Sequence, residues 1–131
     1  MSKKPSKASS PSTYDLQAHQ ESCDRISTPY VQVPCWMTET LGIEVAYFAA
    51  AVVDWCSHKG KPAENDGWFY YPVKTMLKNM KLSRRTQQRL MGRLRELRIV
   101  ETRLAGEGKQ RRWLRVDFVR LEEIKDQGLH S

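Results

Sequence analysis

The run from Leu41 to Ser57 carries only two charges, Glu44 and Asp54. Its apolar residues Ile43, Val45, Ala46, Tyr47, Phe48, Val52, Val53 and Trp55 predict a helix that is apolar nearly all round. Such a helix must be buried on more than one side. Two arrangements satisfy that demand: a central helix wrapped by its neighbours, or a helix that also forms a homodimer interface. A bilayer crossing needs ~20 apolar residues, and the strongly apolar part, Val45 to Val53, is far shorter. The opening Met1 to Lys7 contains lysines and lacks the apolar segment of a secretory signal. These features predict a cytoplasmic protein without membrane contact.

The rest of the chain supplies the neighbours. Residues 1–28 are rich in Ser, Lys, Pro and Gln and are expected to form a disordered tail. A single domain is expected over 29–125, with a flexible C-terminus over 126–131. Tyr30 to Val33 alternates apolar and polar residues up to Pro34, reading as a short strand, with Thr38 and Thr40 as helix caps beyond it. His58 to Gly67 is a polar loop, and Trp68 to Tyr71 an aromatic strand. Pro72 suits the first turn of a helix running from Val73 to Met80. Ser83 is a good N-cap for a further helix to about Leu97. Ile99 to Leu104 and Arg111 to Asp117 read as two strands joined by a turn with two glycines, and Trp113 is expected to face the core. A short helix is expected from Phe118 to Lys125. The fold class is therefore α+β and mainly helical.

Charge is distributed unevenly along this plan. From Lys81 to Arg115 there are twelve basic residues against three acids, a net +9, whereas the remainder has ten against twelve, a net −2. Ten of the twelve are arginines, whose forked guanidinium matches phosphates and guanine edges. A segment charged in this way is the electrostatic footprint expected of a nucleic-acid binder.

At ~100° per residue, the Ser83–Leu97 helix divides into two faces. Leu90, Met91, Leu94 and Leu97 gather on one; Arg85, Gln88, Arg89 and Gly92 gather on the other, flanked by Arg84 and Arg93. Arginine can bridge guanine's two acceptors and glutamine can pair with adenine, so this face combines base-reading chemistries. Ser83 and Thr86 sit where helix amides and the dipole favour a phosphate, and Lys81 lies just before them. Gly92 either lets a DNA backbone approach closely or is a tolerated surface glycine. The hairpin tip, Lys109, Gln110, Arg111 and Arg112, is suited to phosphate or minor-groove contact. Two helices, a tight turn and a hairpin with a basic tip are the parts of a winged helix-turn-helix with three helices and a β-hairpin wing.

Leu41-Gly42-Ile43-Glu44-Val45-Ala46, Gly67-Trp68-Phe69-Tyr70-Tyr71 and Leu82-Ser83-Arg84-Arg85-Thr86-Gln87-Gln88-Arg89-Leu90 follow one another in the chain. In this order they resemble the N-terminal winged-helix domains of phage and plasmid replication initiators and replisome organisers. The resemblance covers about residues 30–121. It implies sequence-specific binding of double-stranded DNA by a nucleoid-associated protein, in replication initiation or transcriptional regulation of a mobile element. Two positions depart from that group, which usually has an aliphatic residue at Gln87 and a glycine at Arg98. Its initiators also carry a C-terminal recruitment domain, so a sequence ending at Ser131 reads as a piece of one or as a stand-alone regulator.

Other functions have less in their favour. His19, His58 and His130 have no nucleophile or carboxylate pair near them in sequence, and Gly106-x-Gly108 is a hairpin turn rather than a phosphate loop, so the chain is not expected to be an enzyme. Cys23, Cys35 and Cys56 lack CxxC spacing, and no second close pair completes a site with Cys56 and His58; neither a metal nor another cofactor is expected. The alternatives are a protein–protein interaction module on a winged-helix scaffold and a non-specific nucleic-acid binder.

Overall fold

The computed structural model describes residues 15–27, 31–108 and 111–129. The chain divides into two units, Met1–Tyr30 and Val31–Ser131. In the first, Leu16–Ser27 is an α-helix, α1. Asp15 caps it, accepting the Ala18 amide on Oδ1 at 3.1 Å. This part of the expected tail is therefore helical: a capping aspartate and runs of good helix formers outweigh the low apolar content. Residues 1–14 and 28–30 lie outside the described residues.

The second unit contains five helices and a three-stranded sheet among its described residues. In chain order these are α2 (Cys35–Leu41), α3 (Ile43–His58), a 3-10 turn (Pro62–Glu64), β1 (Trp68–Tyr70), α4 (Val73–Met80), α5 (Arg84–Glu96), β2 (Val100–Ala105), β3 (Arg111–Val116) and α6 (Phe118–Gln127). The architecture is α+β and mainly helical. The sheet is antiparallel with order β1-β3-β2, so the last strand lies between the other two.

Two elements differ from the sequence reading near the start of this unit. Val31 and Val33 are half-buried, but no strand forms at 31–33; Tyr30 is not described. Pro34 instead caps α2, which ends at Gly42 with φ 86. That left-handed turn favours glycine and starts α3 at Ile43, so α2 is a helix that the sequence reading lacked, and Thr38 and Thr40, expected as caps, lie inside it. At the other end α6 extends to Gln127, with Gly128 as its C-cap, so 126 and 127, expected within a flexible C-terminus, are helical; residues 130–131 lie outside the described residues.

The apolar run finds its burial within one chain. On α3, Ala46, Phe48, Ala49, Ala50, Ala51, Val52 and Cys56 are buried, whereas Ile43 at its start is 78% exposed. The alanines let α2 and α5 approach closely, and Phe48 joins Phe69, Met76, Leu90, Leu94, Leu114 and Ile124 in the core. Trp55 ties α3 to β1: its indole nitrogen donates to the Tyr70 carbonyl at 3.0 Å and its ring stacks on Tyr71 at 4.2 Å. The central-helix arrangement thus accounts for the composition of α3 without a partner chain.

Two polar side chains lock the α4–α5 region. Gln87, 1% exposed, donates from Nε2 to the carbonyls of Leu82 (2.8 Å) and Val73 (3.3 Å). It thereby joins the start of α4 to the turn before α5, which an aliphatic residue could not do. Buried Arg120 of α6 donates from Nε to the Leu97 carbonyl at 2.9 Å, placing a cation at the C-terminal end of α5. Neither role was visible in hydrophobic periodicity. Among the described residues, no helix is long and apolar enough to cross a membrane.

Candidate nucleic-acid interface

Helix α5 owes its orientation to four buried residues, Gln87, Leu90, Met91 and Leu94, which fix one face on the core. The spacing then forces Arg85, Gln88, Arg89, Arg93 and Glu96 outward, and all five are exposed. Ser83 caps the helix as read: its Oγ accepts the Thr86 amide at 3.2 Å. The same hydroxyl donates to Thr86 Oγ1 at 3.1 Å, so these two groups are engaged with each other. Lys81 is the C-cap of α4, exposed and left-handed at φ 58, in the connection between the helices. At its far end α5 closes with the Arg98 amide on the Arg95 carbonyl (3.0 Å) and the Ile99 amide on the Leu94 carbonyl (2.9 Å). This six-to-one closure needs a left-handed residue at Arg98, φ 63, where glycine is usual.

The predicted readers are not equivalent. Arg85 and Gln88 have no hydrogen-bond or ion-pair partner among the described residues. Arg89, by contrast, donates to Glu44 Oε2 at 2.9 Å, which draws its guanidinium toward the start of α3. Hydrogen bonding and charge attraction hold the Glu44 carboxyl below its usual range and push Arg89 up. Arg93 pairs more loosely with Glu96 at 3.4 Å. A β-carbon placed on Gly92 would meet nothing within 4 Å, so the fold itself does not require glycine there.

The hairpin divides its side chains between two faces. Leu114 and Val116 are buried, which puts Arg112 on the same side and Arg111, Trp113 and Arg115 on the other. Trp113 therefore faces away from the core, against the sequence reading: the alternation set by Leu114 and Val116 outranks the size of its ring. Arg111 follows it, with its guanidinium carbon 5.2 Å from the centre of Tyr70. Lys109 and Gln110 lie outside the described residues. Of the basic pair at the tip, Arg112 is thus the member that joins α5.

Arg112 is half-buried, and burial lowers its pKa below the ordinary arginine value. Arg95 and then Arg84 push it the same way, while Tyr70 opposes them. Arg84 and Arg95 share one face of α5 with Gln88 and Met91, ~16 Å apart along the axis at ~1.5 Å per residue. Arg95 touches Thr102 of β2 at 3.5 Å, and no carboxylate pairs with Arg112 or Arg84 among the described residues. An arginine remains charged through such shifts. Two like charges, Arg95 and Arg84, thus act on one half-buried guanidinium. Arg95 was part of the charge block read from the sequence but had not been singled out; its register with Arg84 on α5 was the available signal.

Other candidate chemistry is not assembled. His58 Nδ1 lies 2.9 Å from the carbonyl oxygen and 3.2 Å from the carboxylate of Asp54 on the solvent side of α3. Cys56 is buried, which raises its thiol pKa. Among the described residues no group of three or more His, Cys, Asp or Glu could hold a metal ion. The chain matches no known family, curated protein or solved structure.

Proposed function

We propose that the chain is a winged helix-turn-helix protein that binds duplex DNA sequence-specifically, with α5 in the major groove and the β2–β3 hairpin as the wing. Helices α4 and α5 with a short turn between them, followed by the hairpin, support that reading of the fold. The observation that carries the function is the exposed face of α5, where buried Gln87, Leu90, Met91 and Leu94 turn Arg84, Arg85, Gln88 and Arg95 outward. Half-buried Arg112 of the hairpin adds like charge, and no carboxylate pairs with Arg84, Arg95 or Arg112 among the described residues. Phosphates are the ligands that unpaired arginines on such a face suit, and they flank every position in the groove. With the backbone held there, Arg85 and Gln88 are the exposed groups that reach base edges, arginine for guanine and glutamine for adenine. Arg89 joins them by exchanging Glu44 for the nucleic acid. The resemblance in sequence suggests replication initiation or transcriptional control as the setting.

Selection from random duplex DNA with the purified chain, repeated at two salt concentrations, tests this. An enriched motif with salt-sensitive affinity is the expected result, and a palindromic motif would add homodimeric binding. Salt-sensitive binding without a motif would leave a non-specific binder. Absence of binding would favour a protein-interaction module.

A further inference from the structure

We infer that the sheet face turned away from α5 docks an unpaired base of single-stranded DNA, in a hollow between Trp113 and Arg103. Strand alternation places Trp68, Tyr70 and Trp113 on this face with Arg103, Arg111 and Arg115. Glu101 is the sole acid within the three strands, and it is held by Arg115 at 2.9 Å. The hollow measures about 260 Å³ and is lined by Asn65, Trp68, Arg103, Ala105, Gly106 and Trp113. That is just below the ~300–1,000 Å³ of drug-sized sites and suits a single ring system.

The surfaces within it are already arranged. Trp68, 8% exposed, acts as a floor with the guanidinium carbons of Arg103 and Arg115 at 4.3 and 4.8 Å from its ring. Trp113 is half-buried and backed by Tyr70 at 5.9 Å, so its ring is the one left to stack on a ligand. Aromatic rings and arginine planes are the surfaces on which unpaired bases stack, and exposed Asn65, whose Nδ2 donates to the Lys61 carbonyl at 3.5 Å, keeps its Oδ1 to accept from a base edge. A proline-rich peptide also uses aromatic grooves, but three arginines against one neutralised acid favour a ligand whose rings alternate with phosphates. The choice of DNA over RNA rests on the proposed duplex binding, which brings DNA to the opposite face of the same sheet.

The test is fluorescence anisotropy of the full chain with labelled single-stranded DNA, the matching RNA, and duplex DNA. Wild-type protein is expected to bind the DNA single strand. Trp113→Ala should weaken that binding roughly 5- to 140-fold, the loss of one stacked base, while Trp113→Phe retains most of it. Arg103→Ala, at an exposed strand position, should weaken it as well, and none of the three should change duplex affinity. No single-strand binding by the wild type would overturn the inference, as would unchanged binding by Trp113→Ala and Arg103→Ala. Tighter binding of RNA, or parallel loss of duplex and single-strand affinity in both variants, would overturn it too. A wild type that binds single strands but no duplex would sink the duplex reading and leave the hollow standing.

Discussion

Replacing Arg112 separates a binding arginine from a structural one. Arg112→Met keeps an unbranched apolar stem on β3 and removes the charge. In the free protein that charge faces Arg95 and Arg84 with burial against it. Two like-charged neighbours cost about 0.2–0.5 kcal/mol each at a surface, so the variant should gain up to about 1 kcal/mol. For a domain of this size 1 kcal/mol is worth ~4–8 °C, which predicts an unchanged or higher Tm. On DNA the effect reverses. Each phosphate contact contributes about −0.9 to the slope of log K against log salt, so the variant's slope should be shallower by about 0.9. Between roughly 50 and 200 mM salt, that makes its loss of affinity ~3.5-fold smaller than the wild type's. Thermal melts and salt titrations of duplex binding measure both quantities. A Tm lowered by several degrees with an unchanged slope would refute the reasoning and make Arg112 a packing residue.

Three further substitutions bear on the same architecture. Arg98→Gly should raise stability by about 0.5–1 kcal/mol, since a left-handed arginine costs ~1–2 kcal/mol and glycine's greater freedom when unfolded returns part of it; a lower denaturant midpoint would contradict this. Gly92→Ala should stabilise the free protein by about 1 kcal/mol, because the added methyl meets open space; if DNA approaches α5 closely there, duplex affinity falls while Tm rises, and unchanged affinity marks Gly92 as a tolerated surface glycine. Glu44→Ala releases Arg89 from its 2.9 Å pair and should strengthen duplex binding, with weaker or unchanged binding showing that Arg89 stays out of the groove.

The sequence displayed most of the elements that build the site, and for physical reasons. Ser83, the 3.6-residue spacing of Leu90, Met91 and Leu94, and the paired glycines before β3 are local signals, and α4, α5 and the hairpin lie where they point. Less legible was anything set by which face a residue takes across the sheet. Arg111 and Arg112 are neighbours in sequence and were grouped at one basic tip, yet one stacks on Tyr70 and the other turns to α5. Trp113 was expected to face the core, whereas the parity of Leu114 and Val116 assigns it outward. Gln87 reads as a departure from an aliphatic position, but its two carbonyl partners are apparent only once α4 and the turn are in place. The link from Arg89 to Glu44 spans 45 residues and left no local trace.

Whether α5 lies in the major groove is read out by methylating guanine N7 in the selected duplex and mapping which modifications block binding. N7 lies in the major groove, where arginine takes it together with O6. Interference is expected at specific guanines, and its disappearance at one of them for Arg85→Ala. Binding that tolerates N7 methylation at every guanine would contradict that placement and leave the arginine cluster a backbone contact without a reading helix.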